Sequence, residues 1–315
     1  MPGAAYDDPA LHRVMLLDKV RNEAYRRALN KLVKPGKVVL DVGAGTGILS
    51  LFAAKAGAKR VYAVERTITA DIARDIVKAN ALSEVIRVIP DDIENAELPE
   101  KVDLLVSEWM GGYGIDENVH TPVLLARDRW LKPGGIMVPL TVTAWMAPVW
   151  DPKLEQDMAY WRTKPHGVDL SIMGDIMGGD MIYCQHHIGL ENVLAKPQQL
   201  WTTNMKTISL ENAKKPHKAS LRFKAQKDGS FSALAAWFTA DFGGGVSLST
   251  APGSPPTHWD RTLFSLFEPL KVKRNADIEV TFTCEPAGPG FCRGGWSIKV
   301  GNMPWEHYMG HENMP

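Results

Sequence analysis

The run VVLDVGAGTGILSLFAAKAGAKRVYAVE, residues 38–65, constrains the fold more than any other part of this chain. Val38 to Val42 reads as a strand buried on both faces, and a glycine-punctuated turn leads from it into Ile48 to Ala56, which reads as a helix ending near Gly57. Val61 to Glu65 reads as strand again. Strand, helix and strand at this spacing form a βαβ unit with parallel strands and a right-handed crossover. The rhythm continues through a helix at Ala70 to Leu82, strands at Val85 to Ile89 and Val102 to Val106, and a helix at Pro122 to Leu131 before the turn Lys132-Pro133-Gly134-Gly135. The expected architecture is an α/β sheet wound on both faces.

After about Leu140 the period shortens. Met205 to Leu210, Ala219 to Ala225, Ser232 to Phe242 and Ile278 to Glu285 are short runs of β-branched, aromatic and aliphatic residues between Gly and Pro, the pattern of an antiparallel sandwich or barrel. A Met- and Gly-rich insert, Trp161 to Gly179, follows neither rhythm. At 315 residues and 45% hydrophobic, the chain is long enough for two such units.

Lys+Arg 36 against Asp+Glu 36 removes any global electrostatic case for nucleic acid or an anionic membrane, so a charged partner has to be met locally. The polar start MPGAAYDDPA has no signal-like apolar core and no segment reads as a membrane span, which makes the cytoplasm the expected compartment, or the nucleus in a eukaryote. Cys184, Cys284 and Cys292 are odd in number and form no C-x-x-C pair, so neither a disulfide framework nor zinc is expected. His186-His187 lies near Cys184, but neighbours on a strand point to opposite faces, and no metal site is expected there either.

Gly43, Gly45 and Gly47 follow the first strand and open the first helix, where a ligand can approach the backbone closely. A dinucleotide fingerprint needs its third glycine one residue later, where Ile48 stands; with Asp41 ahead of it, this spacing fits S-adenosylmethionine better than NAD. Glu65, ending the second strand, lies where an acid accepts hydrogen bonds from ribose hydroxyls. Glu94, after the third strand, is placed equally well for an adenine amino group or for solvent.

Two features admit two readings each. SEWMGGYGIDEN sets Glu108 and Glu117 nine residues apart around glycines, either as a solvated turn or as a pair of carboxylates holding a cation. On a helix through LHRVMLLDKVRNEAYRRAL, Met15, Asp18, Arg21 or Asn22, and Tyr25 share one side, and Leu16, Val20, Ala24 and Ala28 form an apolar line. Periodicity alone favours a solvated stripe with an Asp18/Arg21 ion pair; the other reading sets Arg21 over a cofactor carboxylate.

Together these motifs resemble the protein arginine N-methyltransferases, a family of S-adenosylmethionine-dependent methyltransferases. The resemblance rests on VLDVGAGTGILS, VYAVE, the double-glutamate loop SEWMGGYGIDEN, LKPGG, and PTHW at Pro256 to Trp259, about 140 residues after Glu117. WRTKPHGVDLS, from Trp161, is similar to the opening of the family's dimerisation arm.

The resemblance implies a Rossmann-like methyltransferase domain over residues 1–140 and a mostly antiparallel β-barrel domain over 141–315, with a helical dimerisation arm at about 155–187 and a homodimer as the assembly. It implies that Glu65 binds ribose, that Glu94 with Ile93 meets adenine, and that Arg21 takes the cofactor carboxylate. Glu108 and Glu117 become the guanidinium clamp, His258 the Thr-His-Trp histidine, Asp18 its acidic partner, and Met15 an active-site methionine. The implied reaction is methyl transfer to arginine in a protein or peptide, with His258 serving either as a base or as an electrostatic support. A small guanidino metabolite as substrate, or a regulatory role beside another methyltransferase, are the rival expectations.

The chain departs from the family pattern at its start, where only Tyr6 of the aromatic cofactor-covering motif remains. It departs also in the loop, at Gly112, Tyr113 and Gly114, and at Val119, where asymmetric dimethylating members carry a methionine.

Overall fold

The computed structural model describes residues 8–309 except 185, 187 and 289. Tyr6 and His187 therefore lie outside the described residues. The N-terminal segment, expected as one helix, forms two: α1 (Pro9–Leu17) and α2 (Lys19–Leu32). The break is Asp18, whose extended backbone (φ −71°, ψ 94°) ends α1 and caps α2, its carboxylate accepting from the Arg21 amide at 2.8 Å. A cap of this kind contributes about 1 kcal/mol, more than one residue of helical continuity supplies. Ala24 and Ala28 of the expected apolar line are buried, whereas Leu16 is exposed.

The α/β half then follows the sequence rhythm within a few residues: β1 (Val38–Val42), α3 (Ile48–Lys55), β2 (Arg60–Val64), α4 (Thr69–Ala79), β3 (Ile86–Ile89), β4 (Val102–Val106), α5 (His120–Trp130) and β5 (Leu131–Val138). The strands are all parallel in the order β3-β2-β1-β4-β5. Covered on both faces, β1 is buried at every residue, which is why its sequence is a continuous apolar run around Asp41. The expected Lys132 to Gly135 turn becomes a bulge inside β5: Val102 faces Leu131, yet Leu104 faces Ile136. Strand order reverses between β1 and β4, so the crevice beyond their carboxyl ends is where a sheet of this topology takes a ligand.

The second half comprises β6 (Thr141–Val149), α6 (Pro152–Tyr160), α7 (Ser171–Met177), β7 (Met181–Cys184), β8 (Gln198–Asn204), α8 (Leu210–Ala213), β9 (His217–Lys224), β10 (Gly229–Gly243), β11 (Val246–Ser249), β12 (Arg261–Val272), β13 (Asp277–Gly288), β14 (Phe291–Val300) and β15 (Glu306–Met309). They form a sheet ordered β7-β12-β10-β6-β8 with β11 on β10, and a second ordered β15-β14-β13-β9, both antiparallel. Phe264 meets Phe282 and Trp296 edge-on at centroid separations of 4.8 and 5.0 Å, closing a barrel-like core between the sheets. The run Met205 to Leu210 is not a strand: the chain leaves β8 at Asn204, whose side chain caps the Lys206 amide, and turns into α8. The insert, which follows α6, folds as a 3-10 turn at Pro165–Gly167 and α7, and the chain then joins the larger sheet through β7 on β12.

The halves meet along α2 and the loop after β4. Tyr25 of α2 packs edge-on against Phe242 of β10 at 4.7 Å, and a Cβ on Gly114 would stand 2.9 Å from Val142 of β6.

Candidate active site

The segments that follow β1, β2, β3 and β4 converge beyond the carboxyl ends of those strands, and α1 lies across them. They enclose a cavity of about 560 Å³. Its wall contains Gly43, Gly45, Glu65, Ile93 and Glu94 together with Glu108 and Glu117, and Met15 and Arg21 as well. Residues expected to hold a nucleotide and residues expected to hold a cation thus share one cavity.

Gly43, Gly45 and Gly47 have φ of +68°, +53° and +83°, a region that side chains resist, so the turn after β1 is open to glycine alone at little cost. A Cβ on Gly45 would stand 2.9 Å from His12 Cε1, because α1 presses onto this turn. Glu65 is buried; its Oε2 accepts from the Gly45 amide at 2.7 Å and its Oε1 from the Thr67 amide at 2.8 Å. Each oxygen keeps a lone pair for a ribose hydroxyl. The Arg21 guanidinium is buried at the wall, with Nη1 donating to Asn22 at 2.7 Å, Nη2 3.6 Å from Glu108, and Nε without a hydrogen-bond partner among the described residues. A buried cation with a spare donor suits a carboxylate ligand. The glycine turn, the ribose-type acid and this arginine together fit S-adenosylmethionine.

Asp41 does not line the cavity. It is wholly buried beneath the glycine turn, Oδ2 accepting from Ser50 Oγ at 2.7 Å and Oδ1 having no hydrogen-bond partner among the described residues. Burial raises its carboxyl to about 7 against the opposing pull of the Ser50 hydrogen bonds. A folded pKa above the unfolded one means stability is full below the unfolded value, near pH 4, and is lost as pH rises through about 7. Asp41→Asn, which keeps an acceptor for Ser50, is expected to gain on the order of 2–4 kcal/mol over wild type at pH 8 and little at pH 4, read by urea melts. Equal gains at both pH values would show that the carboxyl is ionised throughout.

Asp18 and His258 also stand outside the cavity wall. His258 approaches Asp18 Oδ2 through its backbone N–H at 2.8 Å and its ring Nδ1 at 2.9 Å. Burial works to raise the Asp18 carboxyl, but the hydrogen bonds from the His258 ring and the Arg21 and His258 amides hold it below its ordinary value. Trp259 Nε1 donates to the Met110 carbonyl at 2.7 Å. The Thr-His-Trp loop therefore ties the α1/α2 junction to the double-glutamate loop, a linkage over 240 residues of sequence on one side and 149 on the other.

The double-glutamate loop is fastened at several points. Tyr25 donates to the Ser107 carbonyl at 3.0 Å, and burial followed by the Glu108 charge pushes its phenol well up, keeping it a neutral donor. Glu108 Oε1 accepts from the Met110 amide at 3.0 Å, and Asn118 donates to the Gly288 carbonyl at 2.9 Å. The sequence reading missed His12 and Asn118 as parts of this wall; an i to i+3 step from His12 to Met15 on α1 was the available signal for the first.

Among the described residues no group of three His, Cys, Asp or Glu is placed to hold a metal ion, and no helix is long and apolar enough to cross a membrane. His186 pairs with Asp151 at 2.8 Å.

Residues 141–293 match the arginine methyltransferase oligomerization subdomain, and residues 26–112 match the ribosomal protein L11 methyltransferase family. The chain is 38% identical over 295 residues to protein arginine N-methyltransferase 6 of Danio rerio, covering 90% of this chain and 84% of that one. Against protein arginine N-methyltransferase 6 of Xenopus laevis it is 36% identical over 291 residues, covering 90% and 85%. A solved structure of the Trypanosoma brucei PRMT1 enzyme-prozyme heterotetrameric complex with AdoHcy superposes with a TM-score of 0.85 at 31% identity, over 97% of this chain and 98% of that one.

Proposed function

The chain belongs to the protein arginine N-methyltransferase family, and we propose that it moves the methyl group of S-adenosylmethionine to a guanidino nitrogen of a protein or peptide arginine clamped between Glu108 and Glu117. It is an S-adenosylmethionine-dependent methyltransferase acting on arginine. The observation that carries the clamp is the placement of Glu108 and Glu117 on the wall of the cavity that also holds the glycine turn and Glu65.

A guanidinium is protonated at neutral pH and its charge is delocalised, so its nitrogens are weak nucleophiles. S-adenosylmethionine, when bound, supplies a methyl group on a positively charged sulfur. Two carboxylates accept the guanidinium N–H groups bidentately, fix its plane, and draw positive charge away from the attacking nitrogen. Glu65 and the glycine turn hold one partner and the glutamates hold the other, so orientation carries most of the rate. The nitrogen loses a proton as its new N–C bond forms, and Glu117 receives it. His258, held by Asp18 behind the wall, is a positioning residue: it keeps the α1/α2 junction, and with it Met15 and Arg21, against the cavity.

The test is intact-mass spectrometry of an arginine-rich protein incubated with the chain and S-adenosylmethionine, with fragmentation to locate each added methyl. Methyl masses on arginine support the reading. No gain on proteins, with transfer to a free guanidino compound in a parallel screen, moves the activity to small substrates.

The same reading includes a homodimer. Tyr160, Val168 and Ile172 expose apolar side chains on the arm, and an open groove of about 790 Å³ on the outer face of α2, lined in part by Leu16, Val20, Phe52 and Leu248, is an apolar surface for a second copy to cover. Light scattering at micromolar concentration is expected to give twice the chain mass, and Ile172→Asp to lower it toward one; a strictly monomeric wild type rejects the dimer. A cytoplasmic setting completes the reading and agrees with the free thiols of Cys284 and Cys292.

A further inference from the structure

Between the two clamp glutamates lies a third carboxylate that the mechanism above does not use. Asp116 is 3% exposed, precedes Glu117 directly, and does not line the cavity. Its Oδ2 accepts from the Gly112 amide at 2.8 Å and its Oδ1 from the Tyr113 amide at 3.0 Å. Gly111 and Gly114 bridge each other across the same turn, N to O at 3.1 and 3.2 Å. The fit is close enough that a Cβ on Gly111 would stand 2.5 Å from Asp116 Oδ2.

The turn so formed aims Tyr113 into the barrel-like core, fully buried, with its ring edge-on to Phe264 and Phe282 at 5.7 and 5.9 Å and its hydroxyl donating to Cys284 Sγ at 3.4 Å. On the far side of the turn, Cys292 Sγ donates to the Ile115 carbonyl at 3.4 Å. One end of the loop is thus anchored to α2 of the α/β half through Ser107, which accepts from Tyr25, and Glu108, which pairs with Arg21, and the middle is anchored in the β half. The carboxylate of Asp116 is the group that folds the middle back on itself.

We infer that Asp116 is a positioning residue for methyl transfer, setting the spacing and direction of Glu117 relative to Glu108 by closing the Gly111–Asp116 turn. The inference rests on the clamp reading. A carboxylate is suited to this task because it is acceptor-only at both oxygens, and each amide finds a charge-assisted partner. An amide side chain of the same size can serve only one of the two and presents a donor to the other, so the turn must open on one side. Opening displaces Glu117, which follows directly in the chain, and leaves the glycine turn and Glu65 untouched.

The experiment compares wild type with Asp116→Asn, measuring kcat on an arginine peptide, cofactor Kd by calorimetry, and melting temperature. A fall in kcat of about tenfold or more, with cofactor Kd within about twofold of wild type, supports the inference, since even small misplacement of a clamp costs rate. Retention of kcat within about twofold overturns it. So does a parallel loss of kcat, cofactor affinity and melting temperature, which would mark Asp116 as a general stabiliser of the fold. If Asp116→Asn does not fold, Gly111→Ala presses on the same carboxylate from outside the cavity and is scored by the same three outcomes. Failure of the clamp reading is separately visible, because wild type would then methylate no arginine before any variant is compared.

Discussion

Glu108→Gln is expected to lower kcat on an arginine substrate by about a hundredfold to a thousandfold, roughly 3–4 kcal/mol of transition-state stabilisation. The substitution keeps size and one acceptor but removes the charge that pulls positive density from the attacking nitrogen, and it offers the guanidinium an NH2 where an oxygen stood. Glu108 also lies 3.6 Å from Arg21 Nη2, and removing its charge leaves that arginine freer for a carboxylate. Cofactor affinity should therefore hold or improve while turnover collapses. A general loosening of the site would instead weaken both. Calorimetry for the cofactor beside steady-state rates separates the two, and turnover retained within a few-fold would sink the clamp.

The second large effect is expected at the glycine turn. Gly45→Val places a branched side chain at φ +53° and sets its Cβ 2.9 Å from the His12 ring. Backbone strain of about 1–2 kcal/mol and displacement of α1 from the turn act together, so cofactor Kd should weaken by about thirtyfold or more. At saturating cofactor, kcat should change far less, because Glu108 and Glu117 are not touched. Adding His12→Ala to the Gly45→Val chain tests the steric part alone and should restore a fraction of the affinity. An unchanged Kd in Gly45→Val would place the cofactor elsewhere than on this turn.

How much of this was legible before the structure depends on the range of the interactions involved. The β1–glycine–α3–β2 unit was legible because strand burial, the positive φ at Gly45 and Gly47, and the helix that follows are all decided within residues 38–65. Glu108 and Glu117 stood out as acids in a glycine loop, though their common wall with Glu65 was not readable from spacing. Asp18 looked like one more polar residue on a helix. Its backbone is extended because its carboxylate serves Arg21 three residues on and His258 240 residues on; helical periodicity offered only the first of these partners, and the second came in through the family resemblance alone. Met205 to Leu210 shows the converse failure, since Met205 is buried and Ile208 and Leu210 are half-buried in a turn and a short helix that a period-2 reading takes for a strand.

Asp116 is the sharpest case. In sequence it is a loop acid beside Glu117, and solvent is the natural place to put it. In the folded chain it is buried with two amide donors, and the tyrosine three residues before it reaches a cysteine 171 residues away. The sequence alone determined the parallel sheet and the glycine turn, because those follow from local backbone preference. Only the tertiary structure decided which acids face the cavity and which support it from behind, because burial of a carboxylate depends on donors brought in by distant strands and loops.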